Sequence, residues 1–401
     1  MSRFDPSIHS AETNRRVAAF EKSAAFESAI LNSDYEGFQP PGELWQTIQA
    51  DGETYEIWKG SLADLAVQQV VKRIQILVAF YIEGGTFIEL EEPEWSLERW
   101  TVFFLYQRSA EVIPKRSPYT FMGYSTTYRY FYFTPLPSPP SSAEKKERIS
   151  HPANLDFELP LPQVSLSDLR SRTRISQFVI LPPFQRGGNG SRFYNSIFDF
   201  YLKDPNTVEI TVEDPNESFD DMRDLNDLAR LRKVDEFASL RINTDTVIRA
   251  KGVVPRDIVN LAELDEIRLR FKIAPRQFAR LVEMQLLSLI PTNIRQSLLV
   301  ERQSGSATDI KAKQHEYRLW QLYTKQRLYR HNKDALMQLD RAERIDKLDE
   351  ALGAVEADYA RLLRDLERRQ SGKSTPNGKR DSPEDKTVDE GEPAAKKVKF
   401  A

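Results

Sequence analysis

A glycine-rich segment, Gln185–Ser191, lies between an apolar run and a stretch predicted to be helical, and its residue types suggest chemistry. Gly188 and Gly190 allow backbone angles that a Cβ would block, and they let the backbone approach a ligand closely. Consecutive backbone N–H groups at the start of a helix bind phosphate through free donors and the helix dipole. The Gln-x-x-Gly-x-Gly spacing differs from the dinucleotide fingerprint and lacks the Gly-Lys-Ser/Thr of a P-loop. The segment indicates a pyrophosphate-binding turn, although a plain strand-to-helix turn would use the same glycines.

The composition excludes several kinds of site. The 401 residues include no cysteine and only four histidines, which are widely spaced: His9, His151, His315 and His331. Thiolate metal sites and cysteine nucleophiles are therefore excluded, and a histidine-built metal site or a Ser–His triad is not expected. The formal net charge of -3 argues against a protein that coats nucleic acid. The apolar run Ile74–Ile82 has about half of the length that a membrane-spanning helix needs. We expect no metal, no direct nucleic-acid partner and no membrane insertion.

The glycine-rich segment belongs to a region in which strands and helices alternate. Apolar, β-branched and aromatic runs predict strands at Trp100–Tyr106, Gly123–Phe133, Ile175–Leu181 and Val208–Val212. Helices are predicted within 65–82 and at Ser191–Leu202, and the chain becomes helical from about Phe219. Further along, apolar residues repeat in steps of three and four, which predicts a long helix that packs against another helix. They are Ile345, Leu348, Leu352, Val355, Tyr359, Leu362 and Leu366.

Three motifs resemble a known family. The run Ile175–Gln185 closely resembles the acetyl-CoA-binding signature of Gcn5-related acetyltransferases, and Ile210–Asp221 looks like the catalytic subunit of type B histone acetyltransferases. Upstream, Tyr81–Ile88 resembles the same family, and the resemblance covers roughly residues 53–370. It implies an α/β (mixed α+β) fold, in which a Gcn5-related acetyltransferase core has a mixed central sheet flanked by helices. A helical C-terminal region and a disordered tail would follow.

The resemblance implies acetyl-CoA as the cosubstrate and places it along the predicted strand and the glycine-rich turn. Phe178, Val179 and Ile180 would offer backbone groups to the acetyl and pantetheine portions. The pyrophosphate would lie in the turn, formed by Gln185, Arg186, Gly187, Gly188, Asn189, Gly190 and Ser191. Asn216 and Phe219 match positions near the cosubstrate in this family.

The resemblance also implies a catalytic acid–base residue, because Glu213 matches the general base of the family, with Asp214 beside it. A substrate lysine titrates near about 10.4, so it arrives as an ammonium that cannot attack a thioester. A partly desolvated carboxylate at the end of a strand can remove that proton. Backbone N–H groups on the preceding strand could stabilise the oxyanion. The alternative is a pair of solvated acids in an Asp-Pro turn. Glu83, before two glycines, is a second candidate for a base or a peptide contact, and otherwise a solvent-facing edge residue.

Two kinds of residue could contact a substrate. Trp95 could line a lysine channel, although a tryptophan is more often part of the core. Glu89 belongs to an acidic cluster with Glu91, Glu92 and Glu94, and a second cluster contains Asp220, Asp221, Asp224 and Asp227. Either cluster could attract a Lys/Arg-rich tail by its potential, or could be a solvated surface.

The segments are expected to divide the chain as follows. A weakly ordered, shortened N-terminal lobe would occupy 1–40, where the residues show little resemblance to the family. The acetyltransferase core would occupy 41–225 with a proline-rich loop near 135–162, followed by a helical domain over 226–300 and the heptad-patterned helix over 305–370. The tail over 371–401 should be disordered. Its basic cluster, Lys396–Lys399, resembles a nuclear import signal, so we expect the protein in the nucleus and the cytoplasm; the alternative is a basic patch that touches nucleic acid.

The resemblance implies a histone lysine acetyltransferase that acts on the tail of newly made histone H4 and works with a WD-repeat β-propeller histone chaperone. Two alternatives stay open. The acceptor could be another amine, or the protein could be a scaffold for histone chaperones that has lost catalysis.

Overall fold

The computed structural model describes residues 39–111, 117–131, 169–249, 254–255, 257–296 and 307–370. The expectations for residues 1–38, for the proline-rich loop and for the tail fall outside these ranges. The chain divides into two compact units. The sheet unit runs to Asn216 and includes Phe271–Ala274, and the helical unit contains Glu217–Arg270 and the residues from Pro275 onward. No helix among the described residues is long and apolar enough to cross a membrane.

The sheet unit is built on one six-stranded sheet in which the strands lie in chain order. The first four strand pairings are antiparallel, and the pairing of β5 with β6 is parallel. This mixed sheet with flanking helices confirms the predicted mixed α+β class. The strands are β1 (Glu43–Ala50), β2 (Glu53–Ser61), β3 (Trp100–Arg108), β4 (Tyr119–Phe131), β5 (Ser171–Ile180) and β6 (Thr207–Val212).

The first hairpin is absent from the sequence prediction. β1 and β2 are joined by Asp51 and Gly52, which have φ of 54° and 80°. Positive φ at both central residues is the geometry of a type I′ turn, whose twist matches that of the two strands. The hairpin places Trp58 and Ile57 in the core.

Helices cover the sheet. They are α1 (Leu65–Ile74), α2 (Ile76–Tyr81), α3 (Glu94–Leu97) and α4 (Asn189–Lys203). The region 65–82, predicted to contain a helix, is therefore divided at Gln75, whose backbone N–H donates to Val71 O at 2.8 Å. Val67 and Val71 of α1 are fully buried in one cluster with Phe104 and Tyr124 of the sheet. Burial of each such side chain contributes about 1.5–3 kcal/mol.

The helical unit begins earlier than expected, because the helix Glu217–Leu231 spans the predicted boundary at 225 and packs on other helices of this unit. Its helices are α5 (Glu217–Leu231), α6 (Asp235–Ala238), α7 (Leu261–Arg270), α8 (Pro275–Ser288), α9 (Thr292–Gln296), α10 (Ala307–His331), α11 (Lys333–Leu336) and α12 (Arg341–Gln370). The segment 271–274 returns to the sheet unit. There Ile273 bridges to Ile210 of β6, and Lys272 donates its Nζ hydrogens to Tyr201 O at 3.0 Å and to Asp204 O at 2.5 Å.

The continuous helix predicted over 305–370 is divided into α10, α11 and α12. Asp340 and Glu343 form a capping box that starts α12: Asp340 accepts from the Glu343 N–H at 2.9 Å, and Glu343 accepts from the Asp340 N–H at 3.4 Å. The apolar seam packs within the chain from Leu352 onward, whereas Ile345 is 50% exposed.

The acidic cluster at 220–227 is paired inside the helical unit. Asp224 and Asp227 are buried and both accept from Gln277 Nε2, at 2.9 and 3.1 Å. Arg280 also donates to Asp224, and Arg361 makes two hydrogen bonds of 2.7 Å to Asp221. Asp224 and Asp227 are therefore neither a solvated face nor open to a basic tail, which corrects both interpretations for these two residues, whereas the Asp220 side chain is 34% exposed.

A second buried network joins three helices of this unit. Glu283 of α8 is fully buried and accepts two hydrogen bonds from Arg327 of α10, at 2.7 and 2.9 Å. The hydroxyl of Tyr359 on α12 also donates to Glu283, at 2.9 Å. Every oxygen of this buried carboxylate therefore has a donor, which is the condition under which a buried charge is tolerated.

Candidate active site

An opening between β5 and β6 is the main feature of the sheet. Their parallel ladder ends where Ile175 pairs with Val212, and the last bond runs from the Glu213 N–H to Ile175 O at 2.8 Å. β5 continues to Ile180, and among the described residues only β4 pairs with it there. One edge of Ser176–Ile180 consequently faces an opening.

The backbone N–H and C=O groups of successive residues in Ser176–Ile180 point alternately to β4 and to the opening. A Cβ added to Gly123 of β4 would lie 2.1 Å from Val179 O, so the Val179 carbonyl faces β4. Alternation along a strand then directs the backbone groups of Phe178 and Ile180 toward the opening. Val179 differs from the expectation, because its carbonyl is turned to β4 and its side chain lies in the core. The Ile180 carbonyl accepts from Gln185 Nε2 at 2.8 Å, which ties the end of β5 to the following turn.

The glycine-rich turn is braced by its own side chains. Arg186 and Gly188 have φ of 67° and 78°, and Gly188 is the N-cap of α4. Asn189 is buried and donates to Phe184 O at 2.9 Å, while Arg192 donates to Gly187 O at 2.8 Å. The N-cap residue of α4, Gly188, has no side chain that could accept from the N–H groups of the first turn. The positive dipole end of this helix is thus suited to an anionic group, which fits the predicted pyrophosphate site formed with Gly190 and Ser191.

A β-bulge lies where the opening begins. Thr127 pairs with Ile175 and Thr126 pairs with Gln177, so Ser176 is the extra residue without a partner on β4. A bulge re-aims the side chains around it.

Glu213 lies at the mouth of the opening, immediately after β6, and its side chain is 37% exposed. Its Oε2 accepts from the Ser176 hydroxyl at 2.6 Å, and its Oε1 accepts from the Tyr128 hydroxyl at 3.3 Å. Arg174 Nη1 lies 3.6 Å from Oε1. These donors hold the carboxylate at the point where β5 and β6 separate. Burial and the neighbouring charge of Glu213 raise the pKa of Tyr128, which keeps its hydroxyl protonated as a donor.

Aromatic rings stand beside this carboxylate. The rings of Tyr128 and Trp100 have centroids 4.7 Å apart, and the Arg174 guanidinium lies 6.0 Å from the Tyr128 ring. Tyr130 is exposed, with its ring centroid 6.3 Å from that of Tyr128. Rings in this arrangement can contact the alkyl stem of a lysine and attract its ammonium group.

The other residues predicted near the carboxylate follow β6. Asp214 is exposed and has φ of 34°, a conformation rare for a residue other than glycine and one that costs energy. Asn216 is exposed just before α5, and Phe219 lies partly buried in the first turn of α5.

The predicted residues upstream are all at the surface. Glu83 and Glu89 are exposed, and Glu83 has no ion pair with any described residue. Trp95 is 63% exposed, so the preferred core interpretation of this tryptophan is wrong. The segment that contains Glu83 and Glu89 is held to β5 by Gln177 Nε2, which donates to Thr86 O at 3.0 Å.

Sequence reasoning missed the residues that surround Glu213. Arg174, Ser176, Tyr128 and Trp100 all lie in or next to predicted strands, but strand prediction does not give the register that makes them neighbours. The available signal was Arg174, a charged residue between β-branched neighbours in a strand. No group of histidine, aspartate and glutamate side chains in the described ranges could hold a metal ion.

Comparison with known proteins adds independent findings. The family model described as the N-terminus of histone acetyl transferase HAT1 matches residues 10–83, so the expectation that residues 1–40 show little resemblance to the family is wrong. The model described as the C-terminal region of fungal HAT1 matches residues 257–289.

Curated relatives match over most of the chain. The histone acetyltransferase type B catalytic subunit of Pyricularia oryzae is 46% identical over 360 residues, which cover 89% of this chain and 74% of the relative. The protein of the same name from Gibberella zeae is also 46% identical, over 90% of this chain and 74% of its own length. Among solved structures, a soil metagenomic aminoglycoside acetyltransferase in complex with sisomicin covers 50% of this chain and 97% of its own. It has 13% identity and a TM-score of 0.23.

Proposed function

Because the chain belongs to the family of histone acetyltransferase type B catalytic subunits, we propose that it transfers acetyl from acetyl-CoA to a lysine in the tail of newly made histone H4. The chemistry is supported by one observation above all, the position of Glu213 at the mouth of the opening between β5 and β6. A thioester held along β5 and an amine brought to Glu213 would meet at this point.

The residues on both sides of the opening fit acetyl-CoA. The backbone groups of Phe178 and Ile180 would bond the acetyl and pantetheine portions, and an N–H group here could bind the developing oxyanion. The turn from Gln185 to Ser191 would hold the pyrophosphate at the first turn of α4, whose N-cap residue is Gly188. Acetyl-CoA supplies the activated acetyl group.

The acceptor lysine would lie against Tyr128 and Trp100, with its ammonium directed to Glu213. Glu213 takes one proton from the ammonium, because only the neutral amine has a lone pair for attack. The amine nitrogen then bonds to the carbonyl carbon while the carbon–sulfur bond breaks. The sulfur leaves with the bonding electrons and is protonated to the thiol, and the amide nitrogen loses its remaining extra proton to solvent.

We further propose that the protein works with a WD-repeat β-propeller histone chaperone and occurs in both the nucleus and the cytoplasm. The support is the motif resemblance for the partner and the basic cluster Lys396–Lys399 for import. Co-purification of such a chaperone with the tagged chain, and loss of nuclear signal after replacement of the basic cluster, would test these points.

The experiment for the main proposal uses purified protein, labelled acetyl-CoA and a panel of acceptors. The panel contains an H4-tail peptide, the same peptide with its lysines replaced by arginine, an unrelated basic peptide of equal charge, spermidine, and a peptide with a free N-terminus. We expect label on lysine of the H4 peptide alone. Transfer mainly to spermidine or to N-termini would show that the acceptor is another amine and not a histone lysine. Tight acetyl-CoA binding without transfer to any acceptor would favour the alternative that the protein is a scaffold for histone chaperones.

Replacement of Gly188 by alanine should weaken acetyl-CoA binding. Gly188 has φ of 78°, and an L-residue in this conformation costs about 1–2 kcal/mol. The turn would relax and move its N–H groups, so we expect the Kd of acetyl-CoA to rise about tenfold, measured by calorimetry.

Gly187→Ala is the matched control, because Gly187 has no positive φ and an added Cβ there would meet only an ordinary contact at 3.5 Å. We expect a change below about twofold in that variant. Equal affinity in the two variants would remove the turn from the binding site.

A further inference from the structure

Because of the bulge in β5, the side chains of Arg174 and Gln177 point to the same face of the sheet although they are three residues apart. Before the bulge, Arg174 pairs across the sheet with Tyr128; after it, the Gln177 side chain accepts from the hydroxyl of Tyr124 at 3.4 Å. Tyr124 and Tyr128 lie four residues apart on β4 and thus point to the same face. The extra residue, Ser176, therefore lies between two residues that point to one face, and its own hydroxyl is directed there too.

This direction brings Ser176 to Glu213 at the point where β5 and β6 separate. The last backbone bond between the two strands runs from the Glu213 N–H to Ile175 O, so among the described residues the backbone beyond Glu213 is not paired with β5. The Ser176 hydroxyl donates to Glu213 Oε2 at 2.6 Å, which makes a side-chain link across the gap. It is a short, charge-assisted hydrogen bond of the stronger kind.

The donors around the carboxylate leave limited room for a substrate. A carboxylate has about four lone-pair directions. Ser176 uses one on Oε2, and Tyr128 and Arg174 are grouped on Oε1. One lone-pair direction on Oε2 therefore remains for a substrate, and the Arg174 guanidinium lies on the other oxygen, Oε1. With Ser176 fixed on one side of Oε2, the carboxylate keeps one orientation and presents a single acceptor direction.

We propose that Ser176 is a positioning residue that fixes the Glu213 carboxylate so that Oε2 takes the proton of the acceptor lysine. The proposal rests on the proposed role of Glu213 as the base. The charged and titratable groups that face Glu213 are Arg174 from β5, Tyr128 from β4 and Asp214 next to it in the chain. Ser176 is a neutral donor among them, so its removal changes the orientation of the base without changing the charge of the site.

The test is a double-mutant cycle with Ser176→Ala and Glu213→Gln, measured as kcat and as KM for acetyl-CoA and for the peptide. In Ser176→Ala we expect kcat to fall about tenfold, with KM for acetyl-CoA unchanged within about twofold. Ser176→Thr keeps the hydroxyl and should restore most of kcat. In the Glu213→Gln background, Ser176→Ala should change kcat by less than about twofold.

Ser196→Ala is the matched control, because this buried serine of α4 also bonds a side chain, Gln46, and lies outside the site. We expect its kcat to equal that of the native protein. Full loss in Glu213→Gln with unchanged turnover in Ser176→Ala would overturn this inference alone. Undiminished turnover in Glu213→Gln would overturn the base and this inference with it. The inference would also be overturned if the factors by which the two substitutions lower kcat multiplied in the double variant. A kcat of Ser176→Thr as low as that of Ser176→Ala would overturn it too.

Discussion

Replacement of Glu213 by glutamine is expected to lower kcat by a factor of about 10²–10⁴ at neutral pH, while the affinity for acetyl-CoA stays the same. Glutamine has nearly the same shape, and its carbonyl can still accept from Ser176 or Tyr128, so the fold around β6 should be kept. It cannot take a proton from an ammonium. Steady-state kinetics on the H4 peptide, with calorimetry for acetyl-CoA, measures both quantities.

The pH dependence separates a lost base from a distorted site. If Glu213 removes the lysine proton, the variant can use only the fraction of lysine that is already neutral. Its rate should then rise about tenfold per pH unit up to the lysine pKa near about 10.4, whereas the native enzyme reaches a plateau earlier. A variant whose rate stays low and flat with pH would indicate distortion of the site in place of loss of the base.

Asp214→Asn is the control for this prediction. Asp214 is exposed, and asparagine tolerates its φ of 34° better than most residues. We expect kcat to fall by less than about fivefold, because the hydroxyl and guanidinium donors converge on the neighbouring Glu213. A loss in Asp214→Asn as large as that in Glu213→Gln would move the base to Asp214.

The second large effect is expected in the helical unit, where Glu283→Ala should lower the free energy of unfolding by about 3–5 kcal/mol. The substitution leaves the Arg327 guanidinium without its carboxylate, and it removes the acceptor of the Tyr359 hydroxyl. Urea unfolding followed by far-UV circular dichroism measures the change, since the three helices that meet at Glu283 would lose their shared contact.

Two further variants make this prediction specific to the buried pair. The double variant Glu283→Met, Arg327→Met replaces both charges by apolar groups and should recover most of the lost stability. Glu350→Ala removes a carboxylate from an exposed pair with Lys347 on α12 and should leave unfolding unchanged. Two results would contradict this prediction. One is an unfolding midpoint of Glu283→Ala at the same urea concentration as that of the native protein. The other is a free energy of unfolding of the double variant that is no higher than that of Glu283→Ala.

The sequence predicts β3 to β6 better than the first hairpin. β3 to β6 contain long β-branched and aromatic runs, and the predicted ranges agree with them to within a few residues. The β1–β2 hairpin lies outside the predicted strands although Asp51-Gly52 is a strong hairpin signal, because both of its strands mix polar residues with apolar ones. The division at Asp340 depends on a local capping box that competes with an otherwise continuous helical pattern.

For the candidate site, the sequence indicates the glycine-rich turn and Glu213 but not the residues that surround them. Each of the two follows a predicted strand, and there the sequence pattern and the family resemblance both point to a site. The hydrogen bond from Ser176 to Glu213 depends on where β5 and β6 separate, and no periodicity in the sequence foretells that place or the bulge beside it. The sequence does not reveal the burial of Asp224 and Asp227 in the acidic run 220–227, because the hydrogen-bond donors of this run, Gln277, Arg280 and Arg361, are distant in sequence.

The return of Phe271–Ala274 to the sheet unit bears on how this protein can change by recombination. The chain passes from the sheet unit into the helical unit, comes back to pair beside β6 through Ile273, and leaves again. A gene breakpoint at the Asn216–Glu217 junction would therefore deprive β6 of this neighbour and Tyr201 O of its Lys272 donor. The two units are interlaced in the chain, so they are expected to be inherited and exchanged together and not as separate modules.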